Sequence, residues 1–351
     1  MNLDDLPRPV GAFASDNQAG AHPAVIEALV AANSGHEPSY GYDRFTAATD
    51  EQFRSLFDHD VDVYYVWSGT GANVMALTSL VGPAGGVVCT DWSHINIDET
   101  GAPERIAGCK LIDLPCSDGR MTADQLRSTF SLLGDEHHVQ PQVLSITQST
   151  ELGTLYSLDE LGAVVDHAHS LGMTVHLDGA RIANAAAALG VPLRAVTTDL
   201  GVDVLSFGGT KNGAMLGEAV VVLNPESAPG VDYLRKTSMQ LASKMRFVSA
   251  QLLALLTDDL WLRNASHANA MAADLAARVI DLPGLTVTRA VQANAVFATL
   301  PADVTQRLQE RFRFYTWDQA TGEVRWMCSW DTTAADVDAF AAAVAEELAR
   351  S

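Results

Sequence analysis

The sequence predicts an α/β fold, in which a mostly parallel β-sheet is covered by helices on both faces in three αβα layers. Short apolar runs rich in valine and isoleucine alternate with amphipathic helical segments along the first two thirds of the chain. The runs are nearly continuous rather than alternating in polarity, which is typical of strands buried on both faces. Such strands need helices on each side of the sheet.

Seven apolar runs are predicted as strands, and amphipathic segments lie between most of them. The strands are 61–67, 86–90, 110–114, 143–147, 173–177, 202–207 and 219–223. The clearest helical segments are 70–81, 122–133 and 157–171. Because ligands of such sheets bind at the carboxyl ends of the strands, the residues that follow each strand are the candidates for chemistry.

The pattern changes in the last third of the chain. Helical stretches at 233–256 and 260–279 precede predicted strands at 285–290, 295–300 and 324–329 and a final alanine-rich helix. A chain of 351 residues also exceeds the ~250–300 residues that one hydrophobic core usually serves. We therefore expect a large domain, 1–258, which includes the N-terminal segment, and a smaller C-terminal α+β domain, 259–351.

Composition excludes several classes of function. With 22 basic and 43 acidic residues, the net charge of −21 argues against nucleic acid and against an anionic membrane surface as partners. The acidic, proline-containing N-terminus is unlike a signal peptide, and no run approaches the ~18 apolar residues of a membrane span. The four cysteines form no C-x-x-C pair and have no histidine at metal-ligand spacing. We expect reduced thiols, no metal site and a cytoplasmic protein.

Lys211 is the one charged residue of a glycine-bracketed turn, Gly208-Gly-Thr-Lys-Asn-Gly213, directly after a predicted strand. A desolvated lysine can act as a neutral amine nucleophile, although a single lysine in a turn is usually solvated. Another strand ends 33 residues earlier (211 − 178 = 33) at Asp178, which Arg181 follows closely. A strand-end aspartate is often only a helix N-cap.

The acid and the lysine together predict a cofactor. The carboxylate of Asp178 can keep the pyridine nitrogen of pyridoxal phosphate (PLP) protonated, and the amine of Lys211 can bond covalently to its aldehyde carbon. Both lie at the carboxyl edge of the predicted sheet. The pair therefore favours PLP attached to Lys211.

The segment Ser68-Gly69-Thr70 follows the first predicted strand and opens a helix. Small residues at a helix N-terminus let backbone N–H groups approach a phosphate, although an ordinary βα turn has the same composition.

This segment has a competing interpretation. Gly69-x-Gly71, followed 22 residues later (91 − 69 = 22) by Asp91, resembles a dinucleotide fingerprint and leaves a nicotinamide-dependent dehydrogenase as a remote alternative. Val74 stands in place of the third glycine. That alternative also gives Asp178 and Lys211 no role.

His94 follows the predicted strand 86–90 and so lies on the same edge. An imidazole there can stack on a pyridine ring and can act as an acid or base near neutral pH. The alternative is a loop histidine without a catalytic or binding function, which is what we expect for most of the ten histidines of this chain.

In combination these motifs resemble the low-specificity L-threonine aldolases, which are aspartate aminotransferase-like (fold type I) PLP enzymes of the β-eliminating lyase group. The resemblance extends over nearly the whole chain and rests most strongly on Asp178-Gly-Ala-Arg181 combined with Lys211. Glu99, shortly after His94, matches a glutamate of the family. The matches at Ser15-Asp16-Asn17 and Tyr40-Gly41 are individually weak.

The resemblance implies an activity and a set of roles. The activity is retro-aldol cleavage of L-threonine, L-allo-threonine and related β-hydroxy-α-amino acids to glycine and an aldehyde, by a homotetramer with shared active sites. Catalytic roles are implied for Lys211 and His94, and substrate-binding roles for Ser15, Tyr40, Arg181 and Arg325. Cofactor-binding roles are implied for Ser68, Gly69, Thr70, His94, Asp178, Arg181, Thr210, Lys211 and, toward a neighbouring subunit's phosphate, Arg246.

The chain departs from the family pattern in three places. Residues 147–151 are Thr-Gln-Ser-Thr-Glu where many members have Thr-His-Asn, so the base that acts on the substrate hydroxyl is left open between His94 and another group. The lysine turn is not the common Ser-Lys-Gly-Leu form, and Ala242-Ser-Lys-Met-Arg246 replaces a glycine-rich segment. β-Elimination, amino-acid racemisation and a scaffold that only binds a ligand stay open as alternatives.

Overall fold

The structure is a computed structural model that describes residues 12–350, without the side chain of Phe130, and it divides into two compact units. The large unit is Gly20–Arg263. The small unit is Asn264–Ser351 together with the N-terminal residues up to Ala19.

This division differs from the predicted one. We expected the N-terminal segment in the large domain and a boundary after residue 258. Instead the backbone N–H of Phe13 donates to the Arg313 carbonyl, and the Phe13 carbonyl accepts from the Met327 N–H, both at 2.8 Å. These bonds join residues some 300 positions apart in the chain, and no local sequence pattern reports such a pairing.

A seven-stranded sheet forms the centre of the large unit, in the order β1-β7-β6-β5-β4-β2-β3. Strand β7 is antiparallel to both of its neighbours, and the other six strands run in one direction. The strands are β1 Asp62–Val66, β2 Gly85–Thr90, β3 Lys110–Leu114, β4 Gln140–Thr147, β5 Thr174–Gly179, β6 Val204–Gly208 and β7 Glu218–Val222.

Helices cover both faces of this sheet. The helices of the large unit are α1 Pro23–Ala32, α2 Arg44–Phe57, α3 Gly69–Leu80, α4 His94–Ile97, α5 Ala102–Ala107, α6 Ala123–Arg127, α7 Leu158–Ser170, α8 Ile182–Leu189, α9 Val231–Thr237 and α10 Arg246–Leu256. On one face Phe53 of α2 packs against the rings of Tyr65 and Phe207. On the other face Met75 of α3 packs in a cluster with Val66. The predicted three-layer α/β fold is confirmed.

The predicted helix 233–256 is wrong in one respect, because the chain interrupts it. Helix α9 ends at Thr237, and α10 begins only at Arg246. Between them Met239 adopts a left-handed backbone with φ of 60°, and the side-chain oxygen of Gln240 accepts the N–H of Trp67 at 2.9 Å. A hydrogen bond to a distant residue, Trp67, thus occurs where we predicted a continuous helix.

The small unit has its own four-stranded antiparallel sheet, in the order β10-β11-β9-β8. Its strands are β8 Thr286–Val287, β9 Ala295–Thr299, β10 Tyr315–Asp318 and β11 Glu323–Met327. Helix α11 Leu260–Val279 belongs to this unit from Asn264 onward, and α12 Ala302–Arg311 and α13 Ala334–Ala349 complete it. The predicted α+β class is therefore confirmed, although β8 is shorter than expected and β10 was not predicted.

Aromatic packing holds this unit together. The Phe340 ring of α13 lies 5.1 Å from Trp326 of β11 and 4.5 Å from Phe13, measured between ring centroids.

Within residues 12–350, every helix is too short or too polar to cross a membrane.

Candidate active site

Residues from three parallel strands meet at the carboxyl edge of the large sheet. His94 follows β2, Asp178 lies at the end of β5, and Lys211 follows β6. They are close enough for their charges to act on one another: Lys211 lowers the pKa of both His94 and Asp178, and Asp178 raises that of His94.

Asp178 is a buried carboxylate that stays ionised, with only 4% of the residue exposed. Burial by itself would raise its pKa, but the neighbouring His176, the Ala180 N–H and Lys211 together lower the pKa below the usual value. Burial also lowers the pKa of His176 to about 4, so its ring is neutral at pH 7. At that pH the Ala180 N–H, 3.0 Å from Oδ1, and the Lys211 charge are among its favourable partners.

Asn73 links this carboxylate to a second one. Its Nδ2 donates to Oδ2 of Asp178 and to Oε1 of Glu99, each at 2.9 Å. Both carboxylates are buried. Since a side-chain amide has two hydrogens on one nitrogen, Asn73 can serve both acids without moving.

His94 contacts Glu99, the second of these two carboxylates. Its ring Nδ1 lies 2.8 Å from Oε1 of Glu99, and this hydrogen bond raises the pKa of the imidazole, although burial opposes the shift. An ionised carboxylate accepts only, so Nδ1 carries the hydrogen and Nε2 is the acceptor in the neutral ring. The side chain is 37% exposed, which allows a substrate to reach it.

The lysine turn is a short 3₁₀ helix, Thr210–Asn212, fixed at both ends. The carboxylate of Glu218 accepts the Gly209 N–H at 2.6 Å, and Thr210 Oγ1 accepts the Gly217 N–H at 3.1 Å. A Cβ built on Gly209 would lie 2.5 Å from the Gly217 carbonyl oxygen, and one on Gly208 would collide with the Ala180 carbonyl. The turn therefore requires glycine at both positions.

The predicted phosphate-binding segment forms the start of α3. Ser68 is its N-cap, with Oγ accepting the Gly71 N–H at 3.2 Å, and Gly69 and Thr70 are the first helical residues. The first N–H groups of a helix have no partner within the helix and carry partial positive charge. The Gln240 amide packs directly against Gly71, where a Cβ would come within 2.7 Å of it.

The structure places three further predicted site residues, Arg181, Arg246 and Tyr40, in the large unit. Arg181 is the N-cap residue of α8, just beyond Asp178. Arg246 donates from Nε to the Ala32 carbonyl at 2.9 Å, and Tyr40, 44% exposed, has the Lys236 amine 5.4 Å from its ring centroid. Within the described chain neither Arg246 nor Tyr40 is brought against His94 or Asp178.

Ser15 and Arg325 belong to the small unit. Ser15 caps a 3₁₀ turn by accepting the Asn17 N–H at 3.2 Å. The guanidinium of Arg325 lies 4.0 Å from the ring centroid of Trp317, and its NH2 is 3.4 Å from the Ala14 carbonyl oxygen. The guanidinium thus lies over an aromatic face.

Three residues of the large-unit site were missed by sequence reasoning: Asn73, Glu151 and Glu218. Asn73 had a signal, since it is the one polar residue in the apolar run Ala72-Asn-Val-Met-Ala-Leu77 of a helix. Glu151 had a weaker one, as an acid in a segment that departs from the family pattern. For Glu218, which begins a buried strand, the sequence gives no sign that it would reach back to Gly209.

A cavity of about 640 Å³ lies at the opposite edge of the sheet. It is lined by residues that precede or begin β5 and β6, among them Met173, Thr174 and Asp203. Because open α/β sheets bind their ligands at the carboxyl ends of strands, the His94–Asp178–Lys211 edge is the candidate active site instead.

Comparisons with known proteins agree with this geometry. Residues 12–302 match the family described as beta-eliminating lyase. The low specificity L-threonine aldolase of Pseudomonas sp. (strain NCIMB 10558) is 43% identical over 332 residues, which cover 94% of this chain and 96% of that one. The chain belongs to the low specificity L-threonine aldolase family.

Two further relatives support this membership. The Pseudomonas aeruginosa low specificity L-threonine aldolase is 43% identical over 91% of this chain and 93% of its own length. The structure of Leishmania major threonine aldolase superposes with a TM-score of 0.91 at 28% identity, covering 96% of this chain and 99% of that one. The resemblance seen in the sequence is confirmed, and with it the class of PLP-dependent lyases.

The residues at this edge of the sheet fit PLP. A buried ionised carboxylate such as Asp178 needs a cationic partner, and a protonated pyridine nitrogen is one. A lysine in a rigid turn and a helix N-terminus suited to a phosphate stand at the same edge of the sheet. Within residues 12–350, groups of three or more His, Cys, Asp or Glu side chains placed to hold a metal are absent.

Proposed function

We propose that this protein cleaves L-threonine, L-allo-threonine and related β-hydroxy-α-amino acids to glycine and an aldehyde by a retro-aldol step. The observation that carries the proposal is the meeting of Asp178, Lys211 and the His94–Glu99 pair at one edge of the sheet, in a chain 43% identical to low specificity L-threonine aldolases. A chemistry that breaks the Cα–Cβ bond needs an electron sink at Cα and a base at the β-hydroxyl, and this edge offers groups for both.

We assign the sink to PLP held by the large unit. Lys211 would bind it covalently, Asp178 would pair with its ring nitrogen, and the start of α3 at Ser68–Thr70 would take its phosphate. When bound, PLP draws electron density away from Cα of the amino acid. Thr210 serves by fixing the lysine turn through its bond to Gly217.

We assign the base to His94. With Nδ1 donating to Glu99, Nε2 of the neutral ring can accept the proton of the β-hydroxyl, directly or through one water. The negative Glu99 then stabilises the imidazolium that results. The same imidazole is suited to stacking on the pyridine ring.

The substrate carboxylate would pair with arginine, whose planar fork suits bidentate binding. The family resemblance assigns this role to Arg181 and Arg325, with Ser15 and Tyr40 as further substrate contacts. Support for Arg325 comes from its position over the Trp317 ring.

We also propose that the enzyme is a cytoplasmic homotetramer in which Arg246 reaches a neighbouring subunit's phosphate.

The test is the spectrum of the purified protein and the products from threonine, allo-threonine and phenylserine. We expect a visible absorbance band of bound PLP and equal amounts of glycine and aldehyde. A keto acid with ammonia would assign β-elimination instead, and inversion at Cα without cleavage would assign racemisation. Nicotinamide absorbance without a PLP band would overturn the proposal.

A further inference from the structure

Glu151 is a buried acid that contacts the backbone of His94. It follows β4, its residue is 9% exposed, and its Oε1 accepts two hydrogen bonds at 2.9 Å. One donor is the hydroxyl of Thr147, and the other is the backbone N–H of His94. The acid therefore touches the histidine at its main chain, not at its ring.

The His94 N–H is the first amide of α4 and needs a partner. The residue before the helix, Ser93, makes no side-chain cap bond to α4. Its Oγ is engaged by Thr90 instead, accepting the Thr90 N–H at 3.1 Å and lying 3.0 Å from Thr90 Oγ1. Since an unsatisfied N-terminal amide weakens a helix, Glu151 supplies from the turn after β4 the cap that Ser93 does not.

Two acids thus hold one histidine at two points. Glu99 fixes the ring at Nδ1, and Glu151 fixes the main-chain atom from which the side chain departs. Helix α4 has only four residues, so it has little stability of its own. A shift of this single turn would move the imidazole relative to Asp178 and Lys211.

We propose that Glu151 is a positioning residue that sets the place of the His94 imidazole by capping α4. The proposal rests on the role given to His94 under the proposed function. Glu151 is the one ionisable side chain of the segment 147–151.

The surroundings of Glu151 permit the capping bond in either protonation state. Burial, with the negative charge of Asp178, raises its pKa to about 7, and its Oε2 has no hydrogen-bond partner among the described residues. A proton on Oε2 leaves Oε1 to accept both bonds. The ionisable groups that act on this acid or are affected by it are Asp178, Cys89 and Tyr156, and His94 contacts it through the backbone N–H.

The test compares Glu151→Gln, Glu151→Met and a surface control, Glu136→Ala, in the PLP-loaded enzyme. Glutamine keeps an oxygen that can accept from His94 and Thr147, whereas methionine fills the space without an acceptor for either bond. Amide hydrogen exchange of residues 94–97 should quicken in the Met variant and stay near wild type in the Gln variant. This readout does not depend on the reaction catalysed.

Kinetics give the second readout. For aldehyde release we expect kcat of the Met variant to fall by about ten- to a hundredfold with little change in KM, because the misplaced group acts in the chemical step. The Gln variant should recover most of the loss, and Glu136→Ala should match wild type.

Two alternative results would contradict the proposal. Equal exchange at residues 94–97 in all variants would show that Glu151 does not cap α4. Equal losses of kcat in the Gln and Met variants would show that the charge of the Glu151 carboxylate is important for catalysis, and not the positioning of His94. Failure of the wild type to release aldehyde would overturn the proposed function alone, because the exchange experiment would still decide the capping. If the Met variant does not fold, Glu151→Ala, which also lacks an acceptor for the His94 N–H, supplies the comparison of exchange and kcat with Glu151→Gln.

Discussion

The Nδ1 atom of His94 and the Oε1 atom of Glu99 lie 2.8 Å apart, and the pair forms one end of a chain of buried polar groups. Through Asn73 the same Glu99 oxygen is joined to Asp178, the acid at the end of β5. The proposed base and the proposed partner of the cofactor nitrogen therefore share a hydrogen-bond network, and a change in one should be felt at the other.

Glu99→Gln should move the pH dependence of catalysis. The Glu99 hydrogen bond raises the pKa of His94, so removing the negative charge should lower that pKa. A base must be neutral to accept a proton. The acid limb of kcat/KM should therefore shift to lower pH, by about one unit. The exposed Glu104, changed to Gln, is the control. An acid limb that stays in place would show that another group is the base.

Lys211→Ala should abolish turnover and the visible absorbance of bound PLP together. The turn that carries Lys211 is fixed by the bonds of Glu218 and Thr210 to its backbone, so the variant should still fold. Lys110→Ala, on the exposed start of β3, should keep both properties. Aldol cleavage that persists without Lys211 would refute the covalent role.

Asn73→Ala should lower kcat/KM or the affinity for PLP. The substitution changes neither the proposed base, His94, nor the proposed partner of the cofactor nitrogen, Asp178. Asp178 and Glu99 would lose their shared donor and face each other as like charges in a buried site. Hydrogen bonds to charged groups contribute about 1.5–3 kcal/mol, which corresponds to roughly a ten- to hundredfold loss in kcat/KM or in PLP affinity. Spectroscopic titration with PLP and steady-state kinetics measure the two effects. Asn33→Ala, exposed at the end of α1, should leave both unchanged.

The sequence was sufficient for the fold class and for the common edge of the site because both follow from periodicity. Buried parallel strands have continuous apolar runs, and their carboxyl ends must share one edge. Asp178 and Lys211 could therefore be placed together before their contacts were known. His94 followed from the same argument, since it comes directly after β2.

What could not be predicted depends on contacts between elements that are distant in the chain. Asn73 gains its role only because α3 lies against the end of β5. Gln240 interrupts a helix that its local sequence favours because its side chain bonds to Trp67. The pairing of Phe13 with Arg313 and Met327 likewise has no local signature. The roles of Ser15, Tyr40, Arg246 and Arg325 stay predictions of the family resemblance.

Gly208→Ala should disturb the edge of the sheet on which the site is built. An added Cβ would collide with the Ala180 carbonyl, which is backbone and cannot rotate away. The strands β5 and β6 would have to separate, at a cost of about 1–3 kcal/mol, and Asp178 and Lys211 would separate with them. Both Tm and kcat should fall. Gly162→Ala in α7, where the Cβ would lie 3.5 Å from Leu200, should raise Tm slightly and leave kcat alone. Equal Tm values for the two variants would contradict the close approach.

Glu151 should make the protein less stable as the pH rises through neutrality. Its pKa is raised from 4.5 to about 7 on folding, so the folded state holds the proton more tightly. The stabilisation is complete below pH 4.5 and is lost as the pH passes about 7, because the unfolded chain binds fewer protons in that window. The difference of 2.5 units (7 − 4.5 = 2.5) corresponds to about 3 kcal/mol. Glutamine at this position cannot titrate. The Tm of Glu151→Gln relative to wild type should therefore increase between pH 5 and pH 8, and comparing the two proteins cancels the opposite contribution of His176, whose pKa is lowered to about 4. A Tm difference that is constant across this range would show that the buried carboxyl titrates at its ordinary pKa.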